Sequence, residues 1–317
     1  MYRRCPSKYV LLFVVLTSWV AQALAKDCIG VVAAGATPFW GQVEAGARQA
    51  GQQYALDVHF RGPLHEGRVE TQLQMINWVV EHGCKALVIA PSGSEIVPRV
   101  QQLADHGINT VYFDRDLPGS AVRGVVATDN FGAGLQAGQA LARALGGQGE
   151  VALLRLKAGV PSTSERERGF RQGAEQGGLS ILVDAYIGDD SQAAVDVLRD
   201  RLSQLAGVFT PNSTSSRAAL AALRRLGKAG HLLHIGFDAD PLLIEALSKG
   251  EIHSLMTQQA HAIGYQAVQL AAKSLRGELP LQPVNVPLQA RQVSRDNLAQ
   301  WQRAQEVELS GNPSPSR

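Results

Sequence analysis

The chain has 317 residues, of which 45% are hydrophobic, and it carries 30 basic and 28 acidic side chains. This length and composition fit a packed globular protein of about two domains. The nearly balanced charge and the lack of a basic run argue against a protein that binds a nucleic-acid backbone.

The first 25 residues have the three parts of a secretory signal peptide. Three basic residues lie among the first eight, an apolar run extends from Tyr9 to Val20, and Ala23 and Ala25 are small residues at a cleavage position. The apolar run is shorter than the roughly 20 residues that a membrane span needs. We therefore expect export to the periplasm and a mature chain that begins at Lys26 with 27 basic and 28 acidic residues.

Short apolar runs alternate with segments of helical length and period along the rest of the chain. The predicted strands are 29–33, 56–60, 86–90, 110–113, 122–127, 151–156, 181–186, 207–210, 232–237 and 284–288, with one further strand after Glu251. The predicted helices include 39–54, 67–81, 96–106, 130–145 and 260–275. Such alternation is typical of right-handed βαβ units and parallel sheets, so the chain is predicted to be α/β with two lobes of similar size.

Signatures of enzymes are scarce in this sequence. The eight histidines are scattered, and the sequence has no zinc-ligand spacing, nucleophile elbow or phosphate-binding loop. The glycines between Gly132 and Gly138 resemble a dinucleotide fingerprint, but the third is one position late, which favours close helix packing. We expect no catalytic residue, no cofactor and no metal.

Polar and aromatic residues follow the ends of several predicted strands. In an open parallel sheet, ligands bind in the crevice beyond the carboxyl ends of the strands. Carboxylates, guanidinium groups and amides can pair with sugar hydroxyls, and aromatic rings can cover an apolar sugar face. The candidate residues are Thr37, Phe39, Trp40, Asp114, Arg115, Arg168, Asn212, Asp238 and Gln258.

The ordered series of motifs resembles the ribose-binding-protein-like periplasmic binding proteins over nearly the whole mature chain. It consists of Pro38-Phe39-Trp40, Phe113-Asp114-Arg115, Thr128-Asp129-Asn130, Glu167-Arg168-Gly169-Phe170, Val208-Phe209 with Asn212, Gly236-Phe237-Asp238, and Thr257-Gln258 with Ile263-Gly264. The resemblance implies that the candidate residues other than Thr37 match residues that contact the sugar in that family. It also implies a type I fold, in which two doubly wound parallel-sheet lobes are joined by a three-crossing hinge.

The crossings implied by the resemblance fall near Thr128, Gln258 and Val286. The N-terminal lobe would then comprise residues 26–128 and 259–285, and the C-terminal lobe residues 129–258 and 286–304. Residues 305–317 have the composition of a flexible tail.

Two residues depart from the family pattern. Thr37 stands where ribose binders have an asparagine, and Asp189 stands where an aromatic residue commonly covers the second sugar face. Asp189 either faces the cleft or caps the helix beginning near Ser191. Ribose therefore does not follow as the ligand, and we expect a neutral, hydroxyl-rich one.

The mature chain retains two cysteines, Cys28 and Cys84. In the strand order 2-1-3-4-5 the first and third strands are parallel neighbours, which would bring both cysteines to the same end of the sheet. An oxidising compartment allows a disulfide there. The alternative is two unpaired, buried thiols.

The resemblance implies a monomeric periplasmic receptor that closes around a small sugar or polyol and delivers it to an inner-membrane ABC permease. The alternative is a ligand sensor that presents its closed form to a sensor kinase or chemoreceptor. A transcription repressor with the same core would need an N-terminal DNA-binding domain, and the predicted signal peptide occupies that place.

Overall fold

The computed structural model describes residues 26–65, 68–119 and 121–310. The predicted signal peptide and residues 311–317 lie outside the described residues. The strands of the described chain form two six-stranded sheets, one in each lobe. The predicted α/β class with two doubly wound lobes is confirmed.

The N-terminal sheet is parallel throughout and has the order β11-β5-β4-β3-β1-β2. Its strands are β1 (Cys28–Val32), β2 (Asp57–Arg61), β3 (Ala86–Ile89), β4 (Asn109–Phe113), β5 (Gly124–Thr128) and β11 (Val284–Leu288). The helices of this lobe are α1 (Pro38–Tyr54), α2 (Val69–Glu81), α3 (Ile96–Asp105) and α9 (Ala260–Leu275). Because all six strands run in one direction, their carboxyl ends lie at one edge of the sheet.

The C-terminal sheet has the order β12-β10-β9-β8-β6-β7, and β12 is antiparallel to β10. Its strands are β6 (Gly149–Arg155), β7 (Leu179–Tyr186), β8 (Leu205–Phe209), β9 (Leu233–Phe237), β10 (Ser254–Thr257) and β12 (Arg291–Ser294). The remaining helices are α4 (Asn130–Ala144), α5 (Pro161–Gln176), α6 (Ser191–Arg199), α7 (Ser213–Arg225), α8 (Pro241–Lys249) and α10 (Leu298–Ser310).

Helix pairs in each lobe approach closely at glycine. A Cβ added to Gly134 of α4 would lie 1.9 Å from the carbonyl oxygen of Arg166 in α5. In the N-terminal lobe, a Cβ on Gly264 of α9 would lie 2.0 Å from the carbonyl oxygen of Val43 in α1. A Cβ on Gly138 of α4 would likewise lie 2.6 Å from the carbonyl oxygen of Phe170, so Gly134 and Gly138 both serve the packing of α4 on α5.

The chain passes between the lobes at three places. The first two follow β5 and β10, near Thr128 and Gln258 as the resemblance implies. The third differs from the expectation, because β11 continues to Leu288 in the N-terminal sheet and the crossing falls at Gln289 and Ala290. Parallel pairing with β5 extends over all five residues of β11, which holds 286–288 in the N-terminal lobe.

Two elements near the end of the chain were not predicted. Strand β12 has four residues, too few to show a pattern of alternation. Helix α10 continues to Ser310, so the first part of the segment expected as a flexible tail is helical. Leu298 and Trp301 of α10 pack against an apolar cluster of the C-terminal lobe, which supports the helix.

Candidate functional site

Two aspartates, one in each lobe, take the same unusual backbone conformation directly after a strand of their sheet. Asp114 follows β4 with φ of 61°, and Asp238 follows β9 with φ of 70°. Among the described residues outside glycine, Ala55 is the one other with positive φ, and it ends helix α1. Left-handed backbone at non-glycine residues costs energy and clusters at functional sites. Both aspartates are at the carboxyl edges where the sequence predicts a ligand.

The N-terminal side of this site combines a charged pair with aromatic rings. The Arg115 guanidinium Nε lies 3.4 Å from Asp114 Oδ2. The rings of Phe39 and Trp40 meet edge to face with centroids 4.9 Å apart, and Trp40 packs in turn on Phe113. Trp40 is only 3% exposed and belongs to the lobe core, whereas Phe39 is half-buried. Phe39 is therefore the better placed of the two predicted rings to cover a ligand.

The C-terminal side is held by hydrogen bonds to Asp238. Its Oδ2 accepts from the backbone amide of Ser213 at 3.0 Å, and its Oδ1 accepts from Gln258 Nε2 at 2.8 Å. Gln258 Oε1 accepts in turn from Thr128 Oγ1 at 2.8 Å. Since Thr128 and Gln258 lie at the first and second crossings, the carboxylate of Asp238 is coupled directly to the hinge.

Asn212 ends the loop after β8 and caps helix α7. Its Oδ1 accepts from the Ser215 amide at 3.1 Å and from the Ser215 hydroxyl at 2.7 Å. Its Nδ2 makes no hydrogen bond within the described part of the chain. Because the cap occupies the oxygen, Asn212 can serve a ligand mainly as a donor.

The structure buries Arg166 next to Asn130 and Pro211, and it leaves the predicted Arg168 exposed. Arg166 is 4% exposed; its Nε donates to Asn130 Oδ1 at 2.8 Å and its Nη1 to the carbonyl oxygen of Pro211 at 3.0 Å. Its guanidinium also stacks on Phe237, 3.8 Å from the ring centroid. The Arg168 side chain is 65% exposed and pairs with Glu165.

Helix periodicity explains this difference and offers a signal that the sequence analysis missed. The buried face of α5 carries Thr163, Arg166, Phe170 and Gly173, which recur at three- and four-residue spacing. Arg166 lies one turn before the buried Phe170, whereas Arg168 is only two residues from it and falls on the opposite side.

The charges of the two lobes meet at Arg166. Burial lowers the pKa of its guanidinium, and the carboxylates of Asp238 and of Asp114 oppose that effect. The positive charge of Arg115 also lowers the pKa of Arg166, by less than burial does. Asp114 and Arg115 belong to the N-terminal lobe and Asp238 to the other, so charged residues of both lobes influence the Arg166 guanidinium.

The two residues that depart from the family pattern are both exposed. Thr37 precedes α1 and makes no side-chain cap hydrogen bond. Asp189 lies in the turn after β7, and it is Asp190 that caps α6 by accepting from the Gln192 amide at 2.7 Å. The predicted cap thus falls one residue later than expected, and the orientation of Asp189 toward the cleft stays a prediction.

A buried polar chain supports the C-terminal side of the site and was not found from the sequence. His234 Nε2 lies 2.8 Å from Thr210 Oγ1, which in turn lies 2.7 Å from Ser216 Oγ. Ser216 Oγ also donates to the Asn212 carbonyl oxygen and accepts from the Phe237 amide. Burial lowers the pKa of His234 to about 4, so the imidazole is neutral at physiological pH.

The three crossings are joined by further hydrogen bonds. Gln289 Nε2 lies 3.3 Å from Asp129 Oδ2, and Gln259 Nε2 donates to the Gln289 carbonyl oxygen at 2.8 Å. Arg291 donates to Gln259 Oε1 at 2.8 Å. Side chains from all three crossings thus form one connected hinge.

A sequence model described as the periplasmic binding protein domain matches residues 29–279. The chain belongs to the ribose-binding-like periplasmic binding proteins. It is 27% identical to the ribose import binding protein of Salmonella typhimurium over 263 residues, which covers 81% of this chain and 88% of that protein. It is 25% identical to the D-allose-binding periplasmic protein of Escherichia coli, over 74% of this chain and 79% of the relative.

A solved structure extends the likeness to the fold. The periplasmic component of an ABC-type sugar transport system from Hahella chejuensis superposes with a TM-score of 0.73 at 32% identity, covering 84% of this chain and 99% of that one. These relatives are sugar-binding and transport proteins. Among the helices that the structure describes, none has the length and apolar character of a membrane span.

Proposed function

We propose that the protein is the periplasmic solute-binding component of an ABC importer and that it encloses one small, neutral sugar or polyol between its lobes. The observation that carries this proposal is the matched pair of strand-end aspartates, Asp114 in one lobe and Asp238 in the other, with Asp238 hydrogen-bonded to Gln258 at the hinge. Related proteins supply the transport context, since they include a ribose import binding protein and a sugar-transport component.

The hydrogen-bonding capacity of the site suits hydroxyl groups. Asp114 and Asp238 accept hydrogen bonds, whereas Asn212 Nδ2 and the unused guanidinium nitrogen of Arg166 donate them. A sugar hydroxyl does both, so neighbouring hydroxyls can pair with acceptors and donors in turn. The half-buried ring of Phe39 can cover the apolar C–H face of the same ligand.

Closure of the lobes would couple binding to transport. A ligand that contacts residues of both lobes binds the closed form better, and this difference in affinity shifts the equilibrium toward closure. The hydrogen bonds from Asp238 through Gln258 to Thr128 provide a direct route from a ligand contact to the hinge. The relatives are transport proteins, and no observation favours the sensor alternative.

The proposed function requires export of the protein to the periplasm. We propose cleavage after Ala25, because small residues occupy positions 23 and 25. Mass spectrometry of protein recovered from a bacterial periplasm should give a first residue of Lys26, and an uncleaved chain would contradict it.

The test of the site is a pair of matched arginine variants. A thermal-shift screen of pentoses, hexoses and polyols identifies a ligand, which at 100 times its dissociation constant should stabilise the fold by about 2.7 kcal/mol. In calorimetry with that ligand, Arg166→Ala should weaken binding by about 100-fold, because it removes a buried guanidinium that donates to Asn130 and to the Pro211 carbonyl oxygen and has a further donor left for the ligand.

Arg168→Ala is the control, since it lies two residues away on the exposed side of the same helix. It should bind like the parent protein. Arg166→Lys keeps a positive charge without the fork of donors and guards against simple misfolding, which circular dichroism also checks. Equal binding by both alanine variants would place the ligand elsewhere.

A further inference from the structure

Two cysteines and a histidine meet at the amino-terminal end of the N-terminal sheet. Cys28 begins β1, His59 lies in β2, and Cys84 precedes β3 by two residues. The two sulfurs and one imidazole nitrogen lie within 4.8 Å of one another. The cysteines are 56 residues apart in sequence and joined by a disulfide, with Cα atoms 4.6 Å apart. Sequence spacing gives no sign of this trio, because the register of three strands assembles it.

We propose that the reduced protein binds one thiophilic cation, Zn²⁺ or Cu⁺, through Cys28, Cys84 and His59. Two thiolates and an imidazole are ligands that these d¹⁰ ions prefer in proteins. In the disulfide form the sulfurs are bonded to each other and the site is closed to metal. The bridge therefore makes metal binding dependent on the redox state.

The chemistry requires a reductant, for which we name a dithiol. The dithiol transfers two electrons and two protons to the Cys28–Cys84 bond, which breaks into two thiols while the dithiol becomes a disulfide. Metal binding then displaces one proton from each thiol, so close to two protons are released per cation at neutral pH.

The surroundings of His59 fit a metal ligand. Asp57 Oδ2 lies 3.3 Å from His59 Nε2, which can orient the ring and leave Nδ1 for the metal. A carboxylate in this position is a common partner of metal-binding histidines. The Trp78 ring lies edge-on to His59 with centroids 5.3 Å apart and forms a wall of the site.

The site is also accessible without unfolding. Cys84 is 2% exposed, but Cys28 and His59 are half-buried, so a cation can reach the trio from the side of those two residues. Cys28 and Cys84 belong to one apolar cluster with Trp78 and helix α2. A bound cation would thus hold β1 to the segment before β3 when the disulfide is absent.

The experiment compares oxidised mature protein with protein reduced by a phosphine and kept free of oxygen. Zn²⁺ and Cu⁺ are titrated in separate arms against chromophoric chelators, and Co²⁺ serves as a spectroscopic probe. Reduced protein should bind one equivalent at least 100-fold more tightly than oxidised protein, and Co²⁺ should show thiolate charge-transfer absorption. Tight binding in either arm supports the proposal, and the comparison of arms identifies the metal.

Matched histidine variants test whether His59 coordinates the metal. His59→Gln should lower the affinity of the reduced protein by tenfold or more. His82→Gln should leave it unchanged, because the His82 ring stacks on Trp78, and it is the backbone carbonyl oxygen of His82, which the substitution keeps, that lies 3.8 Å from Cys28 Sγ. Circular dichroism and sugar binding of the same samples report the fold and the cleft separately. Equal affinity of oxidised and reduced protein, or of His59→Gln and the parent, would overturn the proposal.

Discussion

The two lobes present an aspartate at the same strand-end position, but they support it by different means. Asp114 and Asp238 share a left-handed backbone conformation at φ of 61° and 70°. In the N-terminal lobe packed aromatic rings lie next to Asp114, and a disulfide joins β1 to the segment before β3 at the opposite end of the sheet. In the C-terminal lobe hydrogen bonds fix Asp238, Asn212 and Arg166 individually.

The difference suggests a division of roles between the lobes. Covalent and aromatic contacts depend little on pH, so we expect the N-terminal lobe to be the less pH-sensitive side of the cleft. Hydrogen bonds in the C-terminal lobe set the direction of each donor and acceptor before a ligand arrives, which lowers the ordering cost of binding. Each of the following predictions affects one lobe more than the other.

The largest expected effect is on the stability of the N-terminal lobe. Reduction of the disulfide, or the double change Cys28→Ser and Cys84→Ser, should lower the free energy of unfolding by about 4 kcal/mol, because the bridge closes a long loop in the unfolded chain. Urea unfolding with a chelator present measures the loss. Hydrogen exchange should accelerate in β1 and β3 and stay unchanged in β8 and β9; a uniform acceleration would contradict a lobe-specific effect.

Next in size is the effect of the two strand-end aspartates on ligand affinity. Asp114→Asn and Asp238→Asn should each weaken binding by about 1–3 kcal/mol, or roughly 5- to 150-fold. Asparagine is chosen because it tolerates positive φ better than alanine does. Calorimetry measures the affinities.

The Asp238 variant has a second expected effect, on the stability of the free protein. Asp238→Asn should also lower the melting temperature of the free protein, since its carboxylate accepts from Ser213 and Gln258. Asp240→Asn is the control for removing a carboxylate from the same loop. Asp240 caps α8 and pairs with Arg217, so the control variant should keep the ligand affinity of the parent. Parent-like binding by both strand-end variants would refute a site shared between the lobes.

A third prediction concerns acid. Burial lowers the pKa of His234 to about 4 from an ordinary value of 6.5. The unfolded chain therefore binds a proton that the folded chain excludes as pH falls below 6.5. The free energy of unfolding is therefore unaffected by this group above pH 6.5 and falls progressively toward pH 4. At pH 5 the loss amounts to about 2 kcal/mol.

His234→Gln removes this titration while keeping a group that can pair with Thr210. Urea unfolding at pH 7 and pH 5 should show a smaller acid loss in the variant than in the parent, by about 2 kcal/mol. His261→Gln in the N-terminal lobe is the comparison: burial lowers the pKa of His261 too, and Glu308 opposes the shift. Because His261 is only half-buried, His261→Gln should reduce the acid loss of stability by less than His234→Gln does. Equal reductions would remove the contrast between the lobes.

The sequence predicts which residues lie at the strand ends better than it predicts which buried side chains support them. Asp114, Asp238 and Gln258 could be placed at strand ends from the sequence because each follows an apolar run typical of a buried strand. Arg166 was missed because an Arg-Glu-Arg run offers two cations, and only the buried face of the helix decides between them. His234 and Ser216 gave no signal, since their roles depend on contacts between three segments.

The smallest effect tests the loop after β7, where two adjacent aspartates have different surroundings. Asp190→Ala should lower the free energy of unfolding by about 1 kcal/mol, because it removes the cap of α6. Asp189→Ala should change stability by less than about 0.5 kcal/mol, since the residue is exposed.

The variant Asp189→Trp tests whether this turn reaches the ligand. If it does, an added ring opposite Phe39 should shift preference toward sugars with a broad apolar face or block the cleft. Thermal shifts with the full sugar panel measure the ranking, and an unchanged ranking would separate Asp189 from ligand specificity and leave the choice of sugar to the polar residues around Arg166.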